Sequence, residues 1–208
     1  FTAGAGETIG IIGGTGSGKS TVVNLIPRFY DASAGQVCFF GQDVRKYRRK
    51  ELRNQIGIVP QKAVLFAGTV RENMQWGKKD ATDEEIWEAL KTAQAEEFIR
   101  AKEGGLDANI EQGGRNLSGG QRQRLTIARA LVKKPRVLIL DDSASALDYA
   151  TDAALRKAIR QMEGAPTVFI VSQRTSSLMS ADRILVLDDG EATGYGTHEE
   201  LLKNCQTY

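Results

Sequence analysis

The stretch Gly13-Gly14-Thr15-Gly16-Ser17-Gly18-Lys19-Ser20 (GGTGSGKS), continued by Thr21, decides the fold. It satisfies the spacing G-x-x-x-x-G-K-[ST]; the apolar run Ile9–Ile12 precedes it and the helix-competent TVVNLI follows. A strand, a glycine loop and a helix in that order make a phosphate cradle. Gly13, Gly14, Gly16 and Gly18 are expected to reach positive φ and to bring backbone N–H groups up to an anion with no Cβ in between. Those groups and the helix start present partial positive charge. Lys19 can then reach the outer phosphates, and the Ser20 hydroxyl suits Mg²⁺. By itself the loop specifies a nucleoside triphosphate and nothing about the reaction.

The remaining composition narrows the class. At 208 residues the chain can form one α/β domain with a proper core, and 41% hydrophobic with 26% charged residues fits a globular protein. A net charge of +2 argues against a general nucleic-acid binder. Cys38 and Cys205 stand far apart and His198 is the sole histidine, so reduced thiols and no structural zinc are expected. No apolar run approaches the ~18 residues a membrane span needs, and no signal peptide opens the chain. A membrane role is therefore expected through a partner or through polypeptide outside this sequence; the opening FTAGAGETIGII reads as the middle of a domain.

Along the chain, strands are expected at Val37–Phe40, Ile56–Val59, Val137–Leu140, Val168–Val171 and Ile184–Leu187. The basic run VRKYRRKELRNQ carries Arg45, Lys46, Arg48, Arg49, Lys50 and Arg53. It reads either as a solvated, mostly helical face or as a phosphate or headgroup patch; only Tyr47 offers an aromatic platform, which favours the first. From Ala63 to about Gly114 the character turns helical: Thr82-x-x-Glu85 is a capping box ahead of Ile86, Leu90 and Ala93. A helix follows Asn116–Gln121 through Leu131, and another carries Leu155, Ala158, Ile159 and Met162. Strands alternating with helices predict a mainly parallel sheet covered on both faces.

Two further strings carry chemistry. VLILD buries four apolar residues and delivers the Asp141 carboxylate at a strand's C-terminal end, where ligands sit in open α/β sheets and where it would hold Mg²⁺ beside Ser20. LSGGQRQR, Leu117 to Arg124, opens a helix with Ser118, Gly119 and Gly120, a second anion-binding N-terminus. One nucleotide can hardly use both ends of a single chain. The economical arrangement is a head-to-tail dimer, in which this helix caps a phosphate bound to a partner.

With these strings in this order, the sequence resembles the ATP-binding-cassette superfamily over essentially its whole length. The resemblance implies a RecA-like P-loop NTPase core (1–61 and 122–208) with an inserted helical signature subdomain (62–121), in one nucleotide-binding domain whose adenine-stacking aromatic lies upstream of Phe1. It implies binding of ATP and Mg²⁺ by Gly13–Thr21, with Ser20, Gln61 and Asp141 as metal ligands and Lys19, Gln61, the residue at 142 and the residue at 173 as the catalytic set. Leu117, Ser118, Gly119, Gly120 and Gln121 would serve the partner's nucleotide, and Ser145, Ala146, Leu147 and Asp148 would cross the dimer interface. LFAGTVREN, Leu65 to Asn73, is similar to the exporter branch, where this region receives coupling helices of a membrane-spanning domain. Leu65 and Phe66 read as simple core packing or, in the functional alternative, as an exposed apolar patch for docking. TGYGTHEELL, Thr193 to Leu202, is likewise exporter-like. The implied place is the cytoplasmic face of a membrane, the cell membrane first, with no nucleic-acid partner.

Three positions depart from that pattern. Asp142 stands where the family's general base is a glutamate, Gln173 where its switch residue is a histidine, and Gln112 where exporters often carry glutamate. Asp and Glu differ by only ~0.4 unit in intrinsic pKa, so basicity is hardly altered. Reach shortens by one C–C bond of about 1.5 Å, and a misplacement of ~1 Å can cost about 10²-fold. A carboxamide at 173 donates a hydrogen bond but cannot become cationic. Asp142 and Gln173 fall on one half-site while LSGGQ is intact, which resembles the degenerate-site subunit of a heterodimeric exporter paired with a non-identical cassette. The rival readings are a working Asp142, an engineered substitution, a soluble ATPase of the same superfamily, and a nucleotide-gated module with little turnover.

Overall fold

The computed structural model describes residues 1–143 and 146–208. Its centre is a six-stranded sheet of β1 (Thr8–Gly13), β4 (Ile56–Val59), β7 (Val137–Asp141), β8 (Thr167–Val171), β9 (Arg183–Asp188) and β10 (Glu191–Gly196), in the order β10-β9-β1-β8-β7-β4. Every pairing is parallel except β10 on β9. Parallel neighbours remote in sequence require crossovers, and among the described residues eight helices supply the cover: α1 (Lys19–Leu25), α2 (Arg49–Asn54), α3 (Val70–Gln75), α4 (Asp83–Thr92), α5 (Glu96–Arg100), α6 (Gly119–Leu131), α7 (Tyr149–Arg160) and α8 (His198–Asn204). Two small hairpins, β2 (Cys38–Phe39) with β3 (Gln42–Asp43) and β5 (Gly68–Thr69) with β6 (Asn109–Ile110), lie outside the sheet.

The strand pleat divides the core in two. Ile9, Ile11, Ile139, Val171 and Leu187 face one side and pack with Val23 of α1 and Leu52 of α2. Leu138, Leu140, Val168, Ile170 and Val186 face the other and join Ile86 and Leu90 of α4, Leu125 and Ile127 of α6, and Leu155 and Ile159 of α7. Strands buried on both faces have no polar side to show, so they read as continuous apolar runs.

Where the helices begin is dictated locally. Thr69, Thr82, Ser118 and Thr197 each cap a helix through a reciprocal box with the glutamate or glutamine three residues on. Expectation and structure differ at the edges. Val37–Phe40 forms only the two-residue β2, in a separate hairpin. Residues 44–55 split into a 3₁₀ turn over Val44–Lys46 and the short α2. There Arg45 is paired with Asp43 and Arg48 with Glu51, and the Arg53 guanidinium donates to backbone carbonyls; such exposed pairing is what a solvated face looks like. The antiparallel β10 runs through TGYG, where glycines mask the alternating pattern. Leu65 is fully buried and Phe66 is 38% exposed, so the two halves of that dipeptide do different things.

Candidate nucleotide site

Parallel strands deliver their C-terminal ends to one edge of the sheet, and the candidate residues gather there. β1 leads into the glycine loop, β4 into Pro60-Gln61, β7 ends on Asp141, and β8 is followed by Ser172-Gln173. β8 lies between β1 and β7, with Val171 level with both Ile11 and Asp141. Two strand spacings of ~4.8 Å therefore separate the loop from the carboxylate, and α1 closes the gap by returning Ser20, whose Oγ donates to Asp141 Oδ1 at 3.3 Å. The result is a cavity of about 160 Å³ lined by Thr15, Gly16, Lys19, Ser20, Gln61, Asp141, Asp142, Val171, Ser172 and Gln173.

The glycines of the loop are not all there for the same reason. Gly16 (φ +85°) and Gly18 (φ +92°) occupy the left-handed region. Gly13 does not. A Cβ at 13 would lie 2.3 Å from Leu187 O and 2.4 Å from Ser17 Oγ, so glycine is needed there for close packing against β9. Gly14 is also outside the positive-φ set and has open space around it. Positive φ at all four glycines, the expectation above, is thus corrected at 13 and 14.

The loop is complementary to an anion. Lys19 is buried, and its Nζ donates to Gly13 O at 2.8 Å, Gly14 O at 2.6 Å and Ser17 Oγ at 3.4 Å. Among the described residues no carboxylate pairs with it, so a full charge is met only by neutral oxygens. Among those residues the backbone N–H groups of Gly16, Gly18, Lys19 and Ser20 likewise have no partner, as a helix start leaves them. Phosphate oxygens fit that donor set.

Beside it stand acceptors. Burial holds the Asp141 carboxyl above its ordinary range, opposed by the Ser20 hydroxyl and reinforced by the neighbouring Asp142 charge. Gln61 Nε2 donates to Asp142 Oδ2 at 3.2 Å, and the Asp142 N–H donates to Val171 O at 3.0 Å. Asp142 itself sits at φ +46°, a conformation aspartate tolerates better than most residues. Among the described residues no cluster of three His, Cys, Asp or Glu forms a complete cage. One hydroxyl and one carboxylate side by side suit Mg²⁺, which normally completes its shell with water and substrate phosphate.

The structure keeps the signature segment apart from this cavity, since none of Leu117–Gln121 lines it. Leu117 is buried; Ser118 Oγ accepts from the Gln121 N–H at 3.2 Å, and Gln121 Oε1 accepts from the Ser118 N–H at 3.0 Å. A Cβ at Gly120 would lie 3.3 Å from Ala146 O, so the 146–148 segment runs past this helix start. Asp148 caps α7 through the Thr151 N–H at 2.9 Å. Ser145 lies outside the described residues. Sequence reasoning missed the Gln61–Asp142 contact, which joins loops 81 positions apart, and a second cavity built around Phe66, Trp76 and Arg129.

Comparison with known proteins agrees with this geometry. Residues 1–145 match the family described as ABC transporter. An uncharacterized ABC transporter ATP-binding protein of Mycobacterium tuberculosis is 48% identical over 211 residues, covering 100% of this chain and 36% of the relative. A proposed multidrug export ATP-binding/permease protein of Bacillus subtilis is 45% identical over 197 residues, 95% of this chain and 34% of the relative. A solved structure of a bacterial Atm1-family ABC exporter with ATP bound superposes with a TM-score of 0.92 at 38% identity, over 98% of this chain and 36% of that one. The chain thus spans about a third of the length of these relatives. A strand-loop-helix cradle with its carboxylate partner, an LSGGQ helix start, and matched sequence and fold place this chain in the ABC transporter family, as one of its ATP-binding domains.

Proposed function

We propose that this domain binds Mg²⁺-ATP at the sheet's C-terminal edge, pairs head to tail with a second, non-identical cassette, and powers export through a membrane-spanning partner from the cytoplasmic face of a membrane, with its own catalytic half-site degenerate. The observation that carries the reading is the convergence of Lys19, Ser20, Gln61, Asp141, Asp142 and Gln173 on one cavity, with the LSGGQ helix start outside it. The likeness to ATP-binding/permease and exporter proteins supports a membrane partner.

The roles follow from the chemistry of each group. Lys19 exchanges the Gly13 and Gly14 carbonyls for phosphate oxygens, a gain because the new acceptors are charged. Ser20 and Asp141, with Gln61 nearby, would hold Mg²⁺, which when bound neutralises phosphate charge. Asp142 is the carboxylate available to accept a proton from water, but Gln61 already donates to it and its stem is one carbon short of glutamate. Gln173 is exposed at the cavity and can donate to an oxygen without ever adding a positive charge. Binding is intact in this arrangement and proton abstraction is the weak step. Ser118, Gly119 and Gly120 lie outside the lining of this cavity and serve the partner's nucleotide.

ATP turnover by the chain tests the reading. The unmodified chain should bind ATP and hydrolyse it slowly, while Asp142→Glu with Gln173→His should raise the rate by about 10²-fold, the cost expected of a ~1 Å misplacement. A partner cassette carrying Glu and His at those positions should restore turnover to the mixture. Brisk hydrolysis by the unmodified chain alone would remove the degenerate half-site from the account.

A further inference from the structure

Arg129 is a largely buried cation that the nucleotide site does not employ. It stands in the last turns of α6 and reaches the loop that leaves β4, where its Nη2 donates to Val64 O at 2.9 Å. Its Cζ lies 5.6 Å from the centre of the Phe66 ring. Nη1 is buried and has no partner. Among the described residues no carboxylate pairs with this guanidinium, and burial pushes its ionisation down.

Stability does not account for an arginine here. A guanidinium taken out of water loses more hydration than one neutral acceptor and one ring face return. An unbranched apolar side chain would fill the same space without that cost. What arginine supplies, and an apolar side chain cannot, is a fixed hold on the Val64 carbonyl.

That hold lies next to Gln61. Upstream, Val59 is the last residue of β4, in register with Leu140. Downstream, Leu65 O accepts from the Gly113 N–H at 3.0 Å, and the Asn73 side chain grips both the N–H and the carbonyl of Phe66 at 2.9 Å. Between these ties no backbone–backbone hydrogen bond engages residues 60–63 among the described residues. Gln61 is exposed in that span, with its Nε2 on Asp142. The Arg129–Val64 bond is thus the first tie downstream of Gln61, as Val59 is upstream of it.

We propose that Arg129 is a positioning residue for Gln61: by holding Val64 O it fixes the downstream end of the 60–64 loop and so keeps the Gln61 carboxamide at the cavity, with its Nε2 on Asp142 and its Oε1 available to a cation held by Ser20 and Asp141. The inference rests on the reading above that this edge of the sheet binds Mg²⁺-ATP. Arg129 touches neither nucleotide nor metal in this arrangement. It acts through the loop, as the outer partners of a metal ligand do.

The test measures ATP affinity of the 208-residue chain by calorimetry, once with Mg²⁺ and once with EDTA, so that the ratio isolates the contribution of the metal. Arg129→Met should cut that ratio by about tenfold, the low end of what outer-shell partners cost in metal affinity. Affinity in EDTA should stay unchanged, and the urea unfolding midpoint should lie at or above the parent's. In a Gln61→Ala background the same substitution should change nothing further, since its effect runs through Gln61. An undiminished ratio in Arg129→Met overturns the proposal, and so does an equal loss with and without Gln61. A lower midpoint, or a variant that fails to fold, overturns it too, because arginine would then be there for the fold. The parent chain separates the two layers: a parent that binds ATP no better with Mg²⁺ than with EDTA, or not at all, sinks the reading beneath, whereas a parent ratio that Arg129→Met leaves intact sinks the positioning role alone.

Discussion

Gly13→Ala against Gly14→Ala discriminates between two reasons for glycine in one loop. At 13 the added methyl would meet Leu187 O at 2.3 Å and Ser17 Oγ at 2.4 Å. The serine can rotate away. The carbonyl cannot, because Leu187 is paired with Gly13 on one side and with Ala192 of β10 on the other. Restoring an ordinary contact needs β1 and β9 to part by roughly 1 Å over their shared ladder. Overpacking of this kind costs typically 1–3 kcal/mol and occasionally more, and the rigid neighbour puts this case near ~3 kcal/mol. With a urea m-value of about 2 kcal/mol/M, the unfolding midpoint of the nucleotide-free chain falls by about 1.5 M. At 14 no atom lies within 4 Å, so alanine there changes stability by no more than about 0.5 kcal/mol, or ~0.25 M. Urea unfolding followed by circular dichroism, without nucleotide so that ligand linkage does not contribute, reads both. Equal midpoints for the two variants, or a larger loss at 14, would refute the assignment of Gly13 to strand packing.

Other predictions follow from the same site. Asp141 holds its proton more tightly folded than unfolded, so its ionised form costs stability; that cost is absent at pH below the usual carboxylate range and grows as pH rises through the raised folded value. Asp141→Asn should therefore raise the melting temperature of the nucleotide-free chain at pH 7, a gain that vanishes toward pH 3, and should abolish the Mg²⁺ dependence of ATP binding. Thr82→Ala removes the cap of α4, whose hydroxyl accepts from the Glu85 N–H at 3.3 Å, and should cost about 1 kcal/mol in urea unfolding with ATP affinity unchanged. Gly18→Ala, at φ +92°, should cost ~1–2 kcal/mol through backbone conformation alone.

What could be read from the chain in advance tracks how local the physics is. GGTGSGKS lies between the strand and helix it predicts, and Ser118, with Gln121 three residues on, marks the first turn of α6 because a capping box is a local structure. VLILD declares itself because a doubly buried strand has no polar face. Contacts across the fold were out of reach. Nothing near Gln61 announces that its amide meets Asp142, and nothing near Gly13 announces Leu187 O. The second cavity escaped for the same reason: Phe29, Phe66, Trp76 and Arg129 come from separate segments, and each alone reads as an ordinary surface or core residue. The positive-φ expectation failed at Gly13 because glycine there serves close packing, which only its neighbours reveal, and at Gly14 because that position has open space and an ordinary φ.

The claim on which everything else stands is that the Gly13–Ser20 loop holds the triphosphate, with Lys19 as its one charged side-chain donor. Titrating Mg²⁺-ATP into the chain and into Lys19→Ala measures it most directly. A lost charge-assisted bond should weaken affinity by about 10- to 100-fold, with the unfolding midpoint of the nucleotide-free variant close to that of the parent. Undiminished ATP affinity in a folded Lys19→Ala chain would contradict the account.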